Sequence, residues 1–120
     1  MRPGYAAIVG MMAGLTATPA LACSCARMTR EQAIASVTAV FEGRVMRVRR
    51  EGGFVYADVE MSRVIKGSVP RVVEVRTRDN SAACGYPFKA SERLTVGVEF
   101  AQQQFSTNLC VMGPLNGRSR

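Results

Sequence analysis

Several stretches of the chain alternate apolar and polar residues with the period of a half-buried strand. Val55, Ala57, Val59 and Met61 alternate with Tyr56, Asp58, Glu60 and Ser62. Val73, Val75 and Thr77 alternate with Glu74, Arg76 and Arg78, and Leu94, Val96, Val98 and Phe100 repeat the pattern. Upstream, Val40-Phe41-Glu42-Gly43-Arg44-Val45 runs into Met46-Arg47-Val48-Arg49 with a slip of phase between Val45 and Met46. Such a slip marks a bulge or strong bend in one strand rather than two separate strands. A last short element is expected from Phe105 to Cys110, ahead of a tail containing Gly and Arg. Glu51-Gly52-Gly53, Lys66-Gly67-Ser68-Val69-Pro70 and Asp79-Asn80-Ser81 are the breaks between strands. Thr29-Arg30-Glu31-Gln32 fits a capping box, and Ala33, Ile34 and Val37 follow at helical spacing, so one short helix is predicted near residues 30 to 37. Four or five short strands with frequent turns imply an all-β fold, a small barrel or a sandwich.

The first 22 residues have a different texture, that of a secretory signal. Arg2 begins it, an apolar run extends from Ala6 to Ala17, Thr18-Pro19 breaks the helix, and Ala20-Leu21-Ala22 supplies a small–x–small cleavage site. The apolar run falls short of the roughly 20 residues that span a bilayer. The expected organisation is a signal peptide over residues 1–22 and one mature domain over residues 23–120, secreted or periplasmic, with Cys23 as its first residue. Bacterial lipoprotein signals usually place Leu three residues before the modified cysteine. Ala20 stands there instead, so a lipid-anchored form is the less expected one.

Chemistry is limited by what the chain lacks. It contains no His, which excludes Ser–His–Asp and Cys–His catalysis and every His-containing metal site. The acids are scattered and the two lysines, Lys66 and Lys89, stand apart, so an enzyme is not expected and no cofactor is implied. Export to an oxidising compartment makes the 4 cysteines read as two disulfides. Cys23 and Cys25 are too close to bridge each other comfortably, so each reaches for a distant partner, Cys84 or Cys110. A four-Cys zinc site usually needs paired C-x2–4-C knuckles, and one close pair, spaced C-x-C, is present. That pair could hold a soft cation such as Cu(I) as thiolates, a reading the oxidising destination outweighs.

Cys23-Ser24-Cys25-Ala26 at the start of the mature chain, Ala83-Cys84-Gly85, and Asn108-Leu109-Cys110 resemble the N-terminal domain of the tissue inhibitors of metalloproteinases, a netrin-like module. Val64-Ile65-Lys66-Gly67 is also similar to a segment of those proteins. The resemblance covers nearly the whole mature chain and implies an OB-type five-stranded barrel with the disulfides Cys23–Cys84 and Cys25–Cys110. In that family the α-amino nitrogen and carbonyl oxygen of the first cysteine chelate the zinc of a metalloproteinase. The second residue points into the substrate-specificity pocket. Those roles fall on Cys23 and Ser24, with Cys25 and Ala26 continuing the segment and Ala82, Ala83 and Cys84 as the neighbouring ridge. The implied partner is a zinc metalloproteinase, and the chain would carry no metal of its own. The animal inhibitors have a third disulfide and a further C-terminal domain, neither of which is expected from these 120 residues. Their frequent Pro after the second cysteine is replaced here by Arg27-Met28-Thr29.

Charge opens an alternative. Lys and Arg number 16 against 9 acids, for a formal net charge of +7, and one unit leaves with Arg2. Arg44, Arg47, Arg49, Arg50, Arg63, Arg71, Arg76 and Arg78 cluster in the strand region. A basic OB barrel can bind single-stranded nucleic acid, but that mode requires aromatic platforms, and no aromatic is expected to interleave this run closely. Export also argues against nucleic acid. The alternative function is a monomeric, non-inhibitory basic module that meets anionic ligands or the cell-envelope surface.

Overall fold

In the computed structural model, which describes residues 23–117, alternation becomes strand where expected. The expected signal peptide, residues 1–22, and residues 118–120 lie outside the described residues. The strands are β1 (Ala39–Glu51), β2 (Phe54–Lys66), β3 (Val72–Arg78), β4 (Arg93–Ala101) and β5 (Gln104–Ser106). They form a closed barrel in the order β1-β2-β3-β5-β4. β1 pairs antiparallel with both β2 and β4, and β5 inserts antiparallel to β4 but parallel to β3. This is the OB-type five-stranded barrel, and closure leaves no long open edge.

The phase slip in β1 is a bulge. Val45 pairs with Val59 and Arg47 with Asp58, so Met46 has no partner on β2 and is exposed. The side chains of Phe41, Val45, Ala57, Val59, Val73, Val75, Val96 and Val98 point inward and are fully buried. Tyr86 and Phe88, from the connection between β3 and β4, meet edge to face at 4.9 Å and join the same core. Phe100 departs from its expected inward phase. It is exposed at the strand end and packs on Phe105, 4.6 Å between centroids.

The expected helix is α1 (Arg30–Ala35), which stops two residues before the expected end. Its capping box is complete: the Gln32 N–H donates to Thr29 Oγ1 at 3.0 Å, and the Thr29 N–H donates to Gln32 Oε1 at 2.8 Å. Lys66 ends it, its Nζ donating to the carbonyls of Ile34 and Val37 at 2.9 and 2.7 Å.

The expected element through Cys110 and the tail beyond it are corrected. A strand does run through Phe105, but a second helix, α2 (Leu109–Leu115), comes after it. Asn108 caps it by accepting from the Val111 N–H at 3.1 Å. Gly113 and Pro114 are poor helix formers and hide it from a propensity reading. Packing decides instead: Met112 enters the barrel core, while Val111 and Leu115 lie on β4 at Gly97. A Cβ at Gly97 would fall 2.8 Å from each of them. Ala33, Val37, Val40, Val111 and Leu115 form a second small core that joins the two helices to the barrel.

Candidate functional site at the disulfide-clamped edge

After β3 the chain turns at Asn80, whose side chain accepts from the Ala83 N–H at 2.8 Å and holds Ser81–Ala83 in one 3-10 turn. Cys84 closes that turn in the left-handed region, φ 67°, with its N–H on the Ser81 carbonyl. Gly85 must come next, because a Cβ there would collide with the carbonyl oxygen of Arg78. The Cys-Gly pair is therefore a steric requirement of this loop. The Cys84 carbonyl accepts from the Leu109 N–H at 2.8 Å, which draws the start of α2 alongside. Cys110, in the first turn of α2, thus comes to lie with its Sγ 3.9 Å from that of Cys84.

Residues 23–29 have no regular secondary structure and are fastened to this platform by two crosslinks. Cys23 is bonded to Cys84 with Cα atoms 4.9 Å apart, and Cys25 to Cys110 with Cα atoms 5.3 Å apart. These are the pairings the resemblance implied. Between and beside them Ser24, Ala26, Ala82 and Ala83 are exposed, while the cysteines are half-buried. All the expected edge residues are thus assembled: Cys23, Ser24, Cys25 and Ala26 are tied directly to the turn holding Ala82, Ala83 and Cys84. The side chains offered to solvent are small, and none carries a charge.

The four Sγ atoms lie within 4.8 Å of one another. As four thiolates such a cluster would suit zinc or a softer cation. Here the sulfurs are consumed in disulfides, and no free cysteine occurs among the described residues. Such crosslinks fit an oxidising compartment outside the cytoplasm.

One expectation about the basic region is overturned. Sheet register, which sequence proximity does not convey, sets Phe54 opposite Arg78 and Tyr56 opposite both Arg76 and Arg49. Arg76 lies 4.4 Å and Arg78 5.1 Å over the Phe54 ring, and Arg49 lies 4.6 Å over the Tyr56 ring. The basic run is interleaved with aromatics after all, through cross-strand pairs on β1, β2 and β3. Arg47 and Arg49 are matched by acids, Asp58 at 3.0 Å for the first, Glu74 at 2.7 Å and Glu51 at 2.9 Å for the second. No protein-family model and no curated protein matches the chain, which leaves the edge and this face as the features from which its function must be read.

Proposed function

We propose that the mature protein is a secreted or periplasmic inhibitor of a zinc metalloproteinase, acting through the backbone of Cys23. The observation that carries this reading is the Cys23–Cys84 bridge, which holds the segment around exposed Ser24 against the turn of exposed Ala82 and Ala83. Removal of residues 1–22 would make the Cys23 nitrogen a free amine. A catalytic zinc with three protein ligands keeps one position for water or substrate. A neutral α-amine and the carbonyl oxygen of the same residue can occupy it as a five-membered chelate. Model α-amines titrate at about 7.7–8.0, so a neutral fraction exists at neutral pH and grows as pH rises. Two crosslinks hold the chelating residue beforehand, so little conformational entropy is lost on binding. Ser24 would enter the specificity pocket and select among proteases, and the small side chains of Ala82 and Ala83 would let a cleft approach closely.

The test is a mature chain beginning at Cys23 compared with one carrying a single added alanine before it. The first should inhibit at least one member of a broad zinc-protease panel. The second should lose inhibition with unchanged melting temperature and both disulfides present, because the amine has become an amide, a poorer ligand that also crowds the metal. Equal inhibition by the two, or none by the native form, overturns the mechanism.

A further inference from the structure

The outer face of β1, β2 and β3 is separate from the clamped edge and has a chemistry of its own. Arg76 and Arg78 alternate with buried Val75 and Thr77, so both guanidiniums stand on the outside of the barrel, gathered over one phenyl ring, that of Phe54. Three acids of this face are already engaged, Glu74 and Glu51 by Arg49 and Asp58 by Arg47, while Asp79, next to Arg78 in the chain, forms no ion pair with it. Among the described residues neither Arg76 nor Arg78 has an ion-pair partner. Two like charges are therefore held side by side without an ion-pair partner, and the stacking has already removed much of their rotamer freedom. That is the arrangement in which a guanidinium loses least on receiving an anion.

The positive track continues past the strand. Arg78 and Arg50 together line a cleft of about 80 Å³ at the barrel rim, beside Asp79, Ser81 and Tyr86, so two cations there face one carboxylate. Arg76 and Arg78 meet at the Phe54 ring, and Arg78 in turn shares the rim cleft with Arg50, so the cations run from the ring to the rim and form an extended track, not a point site. A line of spaced anions answers it better than one small ion. The rings of Phe54 and Tyr56 lie under guanidiniums, so they are poor platforms for unstacked bases, which is the contact single-stranded nucleic acid requires. Disulfides also fit a compartment outside the cytoplasm.

We propose that this face binds an acidic polysaccharide, laid along β3 with successive carboxylate or sulfate groups on Arg76, on Arg78 and in the Arg50 cleft. The proposal does not rest on the inhibitory reading: acetylating the α-amine of Cys23 should leave it untouched.

Polygalacturonate, its methyl-esterified form and a single-stranded oligonucleotide of matched charge serve as probes in titrations of the disulfide-bonded mature protein. Polygalacturonate should bind with an affinity that falls as salt rises, and the esterified chain should not bind. Arg76→Gln with Arg78→Gln should weaken binding at least about tenfold at unchanged melting temperature, since two charge-assisted contacts are lost. Phe54→Leu, which keeps both cations but removes the ring that holds them, should weaken it by a smaller factor. Arg47→Gln should change it less than about twofold, because Asp58 already neutralises that charge. Unchanged affinity in the double variant, an equal loss in Arg47→Gln, or an oligonucleotide that binds as tightly as the glycan would each overturn the proposal.

Discussion

Lys66 shows how one side chain can join two elements that the chain separates widely. Its Nζ donates to Ile34 and Val37, with a longer contact to Ala35 at 3.4 Å, and so places a positive charge at the C-terminal end of α1. The unsatisfied carbonyls of a helix end carry partial negative charge, which a cation there stabilises. Replacing Lys66 by Met keeps most of the aliphatic stem and removes the donors. Denaturant unfolding should show a loss of about 1.5–3 kcal/mol, the usual range for hydrogen bonds to a charged group. No loss would mean that water caps the helix equally well. The capping role was not legible in Val64-Ile65-Lys66-Gly67, which reads as the end of a strand and a turn. The carbonyls it serves lie about thirty residues earlier and come within reach only when β1 and β2 pair.

At the scale of elements, periodicity was a sound guide wherever burial alternates along one strand. Val55, Ala57 and Val59 and Val73, Val75 and Thr77 are buried as the pattern required. The same rule even located the β1 bulge, because a one-residue insertion reverses the facing of every later residue in the strand. It missed α2, whose apolar residues acquire meaning only against Gly97, and the aromatic–arginine stacks, which depend on the register of β2 against β1 and β3. Of the clamped edge, C-x-C and Cys-Gly were legible as local patterns, but spacing left open which of Cys84 and Cys110 each of the first two cysteines meets, and the family resemblance supplied that order.

Register also creates a pH-sensitive contact between β1 and β2. Arg63 donates to both oxygens of Glu42, at 3.2 and 2.9 Å, beside one of the register shifts. Chiefly through that hydrogen bond, the Glu42 carboxyl is held below its ordinary 4.5; loss of hydration opposes this next, and the charges of Arg63 and Arg30 add smaller lowering effects. A carboxyl whose folded pKa is depressed contributes stability that is fully present above its unfolded pKa. That contribution is lost as pH falls through the lower folded value. Melting curves taken from about pH 6 to about pH 3 should therefore show a shallower acid decline in Glu42→Gln than in the native protein, by a small margin because the pair is exposed. Parallel declines would show that the pair adds nothing.

For the molecule as a whole, the disulfides link a barrel that has its own core to a segment that has none. The bridges span 61 and 85 residues of sequence, and the chain-entropy model assigns each of them about 4–5 kcal/mol. Replacing Cys23 and Cys84 together by Ser should lower stability by up to that amount. Hydrogen exchange should show the β1–β2 amides keeping most of their protection, while the peptide around Ser24 loses its order. Unfolding of the whole barrel in the double variant would contradict this division. The crowding of the sulfurs makes the paired replacement necessary. Cys23 lies 4.0 Å from both Cys25 and Cys110, and Cys84 lies 3.9 Å from Cys110. A thiolate displaces a disulfide sulfur through a mixed disulfide, so any single thiol released in this cluster has the neighbouring bond within immediate reach. One cysteine replaced alone would leave its former partner free to attack the surviving bridge, and the pairing would migrate among the remaining three positions. The two bonds thus behave as one exchangeable unit: the first reducing event at the edge unsettles both attachments of the segment around Ser24 at once.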